Sequence, residues 1–288
     1  MHVPGSGLGP YVESWSPGAV DEDDVLSPAP VAALSALLDE PEPVAAAGDP
    51  LPPLWHWLYF LHWPAQHRLG VDGHPEHGHF LPPIPQRQRM FAGGRCEITA
   101  PLRVGAPARR TSSLSAVTTK QGSSGELLFV TVRSEYTQGG RTCLVEEQDI
   151  VYRSGRGAAQ HPADIDTVSE PRSRDVWQLP LRTDPRLLFR FSAVTANAHR
   201  IHYDAPYAWG EEGYPDLVVH GPLLVLTMLE LVRRNASRPV GSVTYRLRRP
   251  AFAGERLLAT GVPTDRDAAL RVATHREERH ATAEVTFT

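Results

Sequence analysis

Apolar positions in the last third of the chain repeat with two periods. GPLLVLTMLELVRR, from Gly221 to about Arg234, is apolar around most of its circumference and predicts a buried helix, with Pro222 early enough to need no intrahelical donor. Four short runs follow, GSVTYRLRRP, RLLATGVPT, ALRVATHRE and HATAEVTFT, divided by turn residues as in an antiparallel meander. The same succession occurs earlier. LWHWLYFL (Leu54 to Leu61) reads as a buried helix, although its periodicity is equally that of a buried strand. After it come RCEITAPLRV, SSLSAVTTKQ, ELLFVTVRSEYTQ and TCLVEEQDIVYR, with turn signals at Gly122 to Gly125 and at Gly139-Gly140.

The two successions read as one unit used twice. Pro53-Leu54 opens the first predicted helix as Pro222-Leu223 opens the second, and PLRVG (Pro101 to Gly105) sits where PAFAG (Pro250 to Gly254) sits, at a strand end before a glycine turn. The first half is longer between these points by a loop rich in His, Pro and Gly. A helix wrapped by an antiparallel sheet, present twice in one chain, predicts an α+β double hot-dog fold, in which each unit covers the sheet edge of the other. The expected division is residues 1–165 and 166–288.

Outside these runs the chain is less regular. Residues 1–20 are expected to be a loose arm. Asp21 to Asp24 read as the acidic start of a short helix through PAPVAALSALLDE, followed by a Pro-rich linker. Residues 62–91 predict a long loop, a kind that is often functional. Residues 154–185 are polar and Pro-rich and are expected to cross between the halves.

Composition narrows the partners. Across 288 residues the net charge is -4, and only one of the 29 basic residues, Lys120, is a lysine, so no nucleic-acid partner is expected. No run approaches the length of a membrane-spanning helix, and the start has neither a signal-peptide nor a transit-peptide pattern, so a cytoplasmic location without membrane contact is expected. Two cysteines, Cys96 and Cys143, supply neither a disulfide framework nor metal-ligand spacing. His74, His77 and His79 invite a metal reading, but Pro75 and Gly78 interrupt helical ligand geometry, so no metal or cofactor is expected.

Polar chemistry concentrates between Phe189 and Met228, where Asn197 and His202 stand five residues apart and His220-Gly221-Pro222 steps into the apolar helix. FSAVTANAHRIHYD with EGYPDLVVHGPLL resembles the active-site half of the MaoC-like hydroxyacyl-thioester dehydratase type 2 and mesaconyl-C4-CoA hydratase group. DGHPEHGHFLPPIPQRQRMFAGG (Asp72 to Gly94) is similar to the loop and first strand of the MaoC-like N-terminal dehydratase domain. The resemblance implies a hydratase or dehydratase acting on an acyl-CoA or acyl-carrier-protein thioester, with catalysis in the second half and a non-catalytic first half.

Hydration of a 2-enoyl thioester needs a base for the water that attacks C3, an acid for C2, and donors for the enolate oxygen. His202 fits the acid/base role, since an imidazole titrates near neutral pH. The resemblance places an Asp where this chain has Asn197. An amide cannot exchange protons, so Asn197 is expected to hold the water. Backbone N–H groups at Gly221, where the helix dipole favours negative charge, are expected to hold the enolate. His220, Tyr203, Arg200 and Arg89 are candidates for substrate contact, the arginines for coenzyme A phosphates or an acidic acyl tail. Two other classes are compatible with the fold, an acyl-CoA thioesterase and a non-catalytic acyl-thioester binding protein. Both a monomer and a homodimer are compatible with the covalent duplication.

Overall fold

The computed structural model describes residues 7–122, 125–154 and 165–288. Ten antiparallel strands form one sheet: β1 (Val20–Val25), β2 (Arg87–Ile98), β3 (Pro107–Gly122), β4 (Gly125–Gln138), β5 (Arg141–Ser154), β6 (Trp177–Arg182), β7 (Val240–Leu247), β8 (Arg256–Pro263), β9 (Asp267–Ala273) and β10 (Ala281–Phe287). Five helices accompany them: α1 (Gly9–Val12), α2 (Pro28–Leu37), α3 (Pro185–Val194), α4 (Ala205–Gly210) and α5 (Gly221–Asn235). Part of the expected crossing, residues 155–164, lies outside the described residues.

Strand order across the sheet is β1-β3-β4-β5-β2-β7-β10-β9-β8-β6. Read outward from the β2–β7 seam, each side has the same connectivity: the strand after the helical region, then its last, third and second strands, then the strand before the helical region. The seam pairs Gly93–Glu97 with Ser242–Arg246, so each half covers an edge of the other. The PLRVG and PAFAG segments occupy matching places. Arg103 bridges to Pro50 and Phe252 bridges to Val218, and the two glycines adopt the same left-handed backbone, φ +87° at Gly105 and +84° at Gly254. This is the double hot-dog arrangement.

The halves differ in their helices. Every residue of α5 from Leu223 to Val232 is buried, and the helix lies across β6, β8, β9 and β10. The helix expected at Leu54 to Leu61 does not form. Its residues make only a 3-10 turn, Trp55–Leu58, with left-handed backbone at Leu54 (φ 63°) and at Phe60 (φ 55°) and extended backbone at Tyr59. Tertiary bonds hold this break open: the Phe60 N–H donates to Asp24 Oδ2 (2.8 Å) and the Tyr59 hydroxyl to the Ser27 carbonyl (2.6 Å). Trp57, Tyr59 and Phe60 consequently form part of a cleft wall.

Two further expectations give way. VDEDDV is not a helix start but edge strand β1, because β3 presents Arg109 and Arg110 opposite its acids. Asp23 takes both Arg109 nitrogens at 2.9 Å, and Glu22 accepts from Arg110. Within the polar stretch expected to cross between the halves, WQLPLR forms edge strand β6 against β8, a place that tolerates Pro180. No helix among the described residues is long and apolar enough to cross a membrane.

Candidate functional site

An open cleft of about 2120 Å³ runs between the broken helix of the first half and the N-terminus of α5. That is larger than a drug-sized pocket and leaves room for an acyl chain with part of its carrier. His202, Asn197, Gly221, Tyr203, Arg200 and Arg89 all line it, so the structure brings these sequence candidates together.

The segment carrying Asn197 and His202 is built from a helix end and two caps. Asp184 caps α3 by accepting from the Leu187 N–H (2.8 Å), ahead of Pro185. After α3 the chain turns at Ala196 (φ 50°), and the Asn197 N–H returns to the Ser192 carbonyl (2.9 Å). Asn197 Oδ1 accepts the His199 N–H (3.0 Å), which shapes the turn and leaves the Asn197 side-chain NH2 available as a donor. A 3-10 turn, Arg200–His202, follows, and Asp204 then caps α4 by accepting from the Tyr207 N–H (3.1 Å). Arg200 is committed to this framework. It holds Asp204 Oδ2 at 2.7 and 2.9 Å, donates to the Val71 carbonyl (2.9 Å) and lies over the Tyr207 ring. The Tyr203 hydroxyl is likewise spent on the Ala198 carbonyl (3.0 Å).

His202 is buried, and its Nδ1–H donates to the Val218 carbonyl at 2.7 Å. That bond fixes the tautomer and leaves the Nε2 lone pair available. Burial lowers the His202 pKa from the ordinary imidazole value to about 4 against the raising effect of Val218, with His74 lowering it further, so the ring is neutral at pH 7. His220 stacks on it with ring centroids 3.6 Å apart and planes within 18°. Its Nε2 meets Ser192 Oγ at 2.9 Å, its Nδ1 is buried with no partner among the described residues, and burial together with His202 and His199 holds it far below the usual imidazole range. His220 therefore backs His202 rather than facing substrate. Ser192, which joins His220 to the Asn197 turn, carries no motif that would have marked it in the sequence.

Gly221 opens α5 at the cleft. A Cβ there would stand 2.3 Å from Leu247 Cδ1, so any other residue at the helix start would require the Leu247 side chain on β7 to shift. No hydrogen bond to its N–H occurs among the described residues, as expected of the first donor of a helix. Arg89, on β2, lines the cleft with no hydrogen bond or ion pair among the described residues, close enough to His199 to lower that ring's pKa.

One contribution comes from the other half. The loop carrying Asp72 and His74 docks on the segment of Asn197 and His202, and donor atoms of Asp72, His74 and His199 lie within 4.8 Å of one another. The Asp72 carboxylate already bonds His74, through Nδ1 (3.0 Å) and the backbone N–H (2.9 Å), and the His199 ring packs against that of His74. His79, from the same His-rich loop, instead reaches the Gly18 carbonyl (2.7 Å).

A double hot-dog chain with a neutral histidine and a helix N-terminus facing one cleft has the equipment of an acyl-thioester hydratase. The chain belongs to the hydroxyacyl-thioester dehydratase type 2 family, whose sequence model matches residues 54–253. It is 49% identical over 240 residues to the mesaconyl-C(4)-CoA hydratase of Chloroflexus aurantiacus, covering 83% of this chain and 84% of that one. It is 28% identical to the mitochondrial hydroxyacyl-thioester dehydratase type 2 of Schizosaccharomyces pombe, over 81% of this chain and 87% of that one. The fold matches a MaoC-like dehydratase from Phytophthora capsici with a TM-score of 0.66 at 14% identity, covering 95% and 96% of the two chains. HtdX of Mycobacterium tuberculosis superposes with a TM-score of 0.63 at 15% identity, over 94% and 100%. The chain is a hydro-lyase that interconverts a 2-enoyl thioester and a 3-hydroxyacyl thioester.

Proposed function

We propose that the substrate is a short, branched dicarboxylic enoyl-CoA of the mesaconyl type and that His202 is the base that activates water. The observation that carries the assignment of the base is the His202 ring itself, which is fixed through Nδ1 to Val218 and lines the same cleft as Gly221. Water held by the Asn197 amide loses a proton to His202 Nε2 as its oxygen adds to C3. The thioester oxygen takes up the enolate charge against the Gly221 N–H, where an orphan donor and the helix dipole favour an anion. Two observations support the dicarboxylic class: the 49% identity to a hydratase named for such a substrate, and the fact that Arg89, unlike Arg200, lines the cleft with no hydrogen bond or ion pair among the described residues. With the halves divided as expected at residues 165/166, the base would belong to the second half and Arg89 to the first.

Enoyl-thioester absorbance and free-thiol release together test this reading. Absorbance should fall without thiol release, and His202→Ala should lower kcat by at least about a hundredfold. Asn197→Asp should keep measurable turnover, since a carboxylate also holds water. Arg89→Gln should raise KM for a dicarboxylic enoyl-CoA at least about tenfold while leaving crotonyl-CoA nearly unchanged, the size of one charge-assisted contact. Near-full turnover in a folded His202→Ala protein, or an equal effect of Arg89→Gln on both substrates, would refute the corresponding assignment.

A further inference from the structure

The reaction moves two protons, one from water and one to C2, and Asn197 can carry neither. The first half brings a second acid/base candidate into the same cleft. His74 is held twice by Asp72, and the short loop around it is closed by its own backbone bonds, Gly70 N–H to the His74 carbonyl (2.7 Å) and Glu76 N–H to the Arg68 carbonyl (2.9 Å). The loop is locked onto the catalytic segment. Arg200 donates its backbone N–H to the Asp72 carbonyl and a guanidinium N–H to the Val71 carbonyl, both at 2.9 Å. Gly73 lies so tightly on Ala198 that a Cβ would fall 1.8 Å from the Ala198 carbonyl oxygen. So close a fit fixes where the His74 ring goes: its centroid is 4.1 Å from that of His199, which in turn meets His202 edge-on at 5.6 Å.

We propose that His74, oriented by Asp72, is the second catalytic acid/base of the site. It protonates C2 of the enolate during hydration and removes that proton during dehydration. The inference rests on His202 being the water-activating base. In hydration the C3–O bond forms as His202 Nε2 takes a proton from water, and the C2–H bond forms as the His74 imidazolium gives up its Nε2 proton. His202 then releases its proton to solvent and His74 regains one, so the net change is addition of one water. Asp72 accepts from His74 Nδ1, leaving Nε2 for the transfer, and stabilises the charge on the ring while it is protonated, as the carboxylate of a catalytic triad does. His199 and His220 are poor candidates for this acid, because burial holds both neutral. Among the described residues, the charged and titratable groups around His74 include Asp72 and Glu76 on its own loop, His199 with His202 behind it, the Arg200–Asp204 pair with Tyr207, and Arg89 from β2 near His199. The first half would thus take a chemical role in place of the purely architectural one its sequence suggested.

The test is steady-state hydration by His74→Gln, His74→Ala and Asp72→Asn across pH 5 to 9, with His202→Ala measured in parallel. We expect His74→Gln to lower kcat about a hundredfold or more with KM changed less than about threefold, the signature of a lost acid/base. Added imidazole should restore part of the turnover of His74→Ala. Asp72→Asn should lower kcat and displace one limb of the pH profile. Full kcat in folded His74→Gln would overturn the proposal, as would a loss that imidazole does not relieve. Activity abolished by a chelator and restored by zinc would overturn it too, by making the cluster a metal centre. If His202→Ala retained activity, the water-base assignment would fall on its own, whatever the His74 variants did.

Discussion

The neutral histidine stack makes a prediction about stability as well as catalysis. An unfolded chain protonates a histidine near pH 6.5, whereas His202 in the fold takes its proton only near pH 4. Between those values the unfolded state binds more protons than the folded one. The stability that His202 allows at pH 7.5 is therefore lost as pH falls, beginning near 6.5 and ending near 4. Integrating from pH 7.5 to 5 gives a loss of about 2 kcal/mol from this one ring, on the order of 3 °C in melting temperature for a protein of this size. The perturbation is His202→Gln, which removes the titration but keeps a side chain able to reach the Val218 carbonyl. Thermal melts of both proteins at pH 7.5 and pH 5 isolate the effect, because carboxylates elsewhere shift both proteins alike. The wild type should lose about 3 °C more than the variant over that interval. Equal losses in the two would show that His202 is not held neutral by burial, and the case for it as a ready base at pH 7 would go with it.

Two further predictions concern the joining of the halves. Gly73→Ala places a Cβ against the Ala198 carbonyl at a backbone φ of +89°, so the Asp72–His74 loop should lift away. The expected result is a melting temperature lowered by several degrees and a reduced kcat, and an unaffected crystal position of residues 70–76 would contradict it. A chain beginning near residue 170 retains His202, Asn197 and Gly221 but bares the β7 edge that β2 covers. It should aggregate or dimerise with little turnover, and residues 1–165 added as a separate chain should recover part of it. A soluble, monomeric and fully active fragment would show the first half to be dispensable.

The sequence determined on its own those elements whose stabilising partners are near in the chain. Helix α5 and strands β7 to β10 follow from runs whose periodicity is set by one continuous buried face, and the repeat of PLRVG as PAFAG exposed the duplication because both mark the same left-handed turn. His202, Asn197 and Gly221 were legible for the same reason: one segment of about thirty residues carries them into one cleft. Only the tertiary structure decided the rest. VDEDDV is a strand because Arg109 and Arg110 neutralise its acids from β3, far along the chain, and no local pattern announces that. LWHWLYFL has the apolar content of a helix, yet bonds from Tyr59 to the Ser27 carbonyl and from Phe60 to Asp24 favour a broken turn that lines the cleft. The placing of His74 beside His199 and of Ser192 beneath His220 arises from contacts between segments distant in sequence. Their worth depends on ångström distances across the fold, which the order of residues does not record.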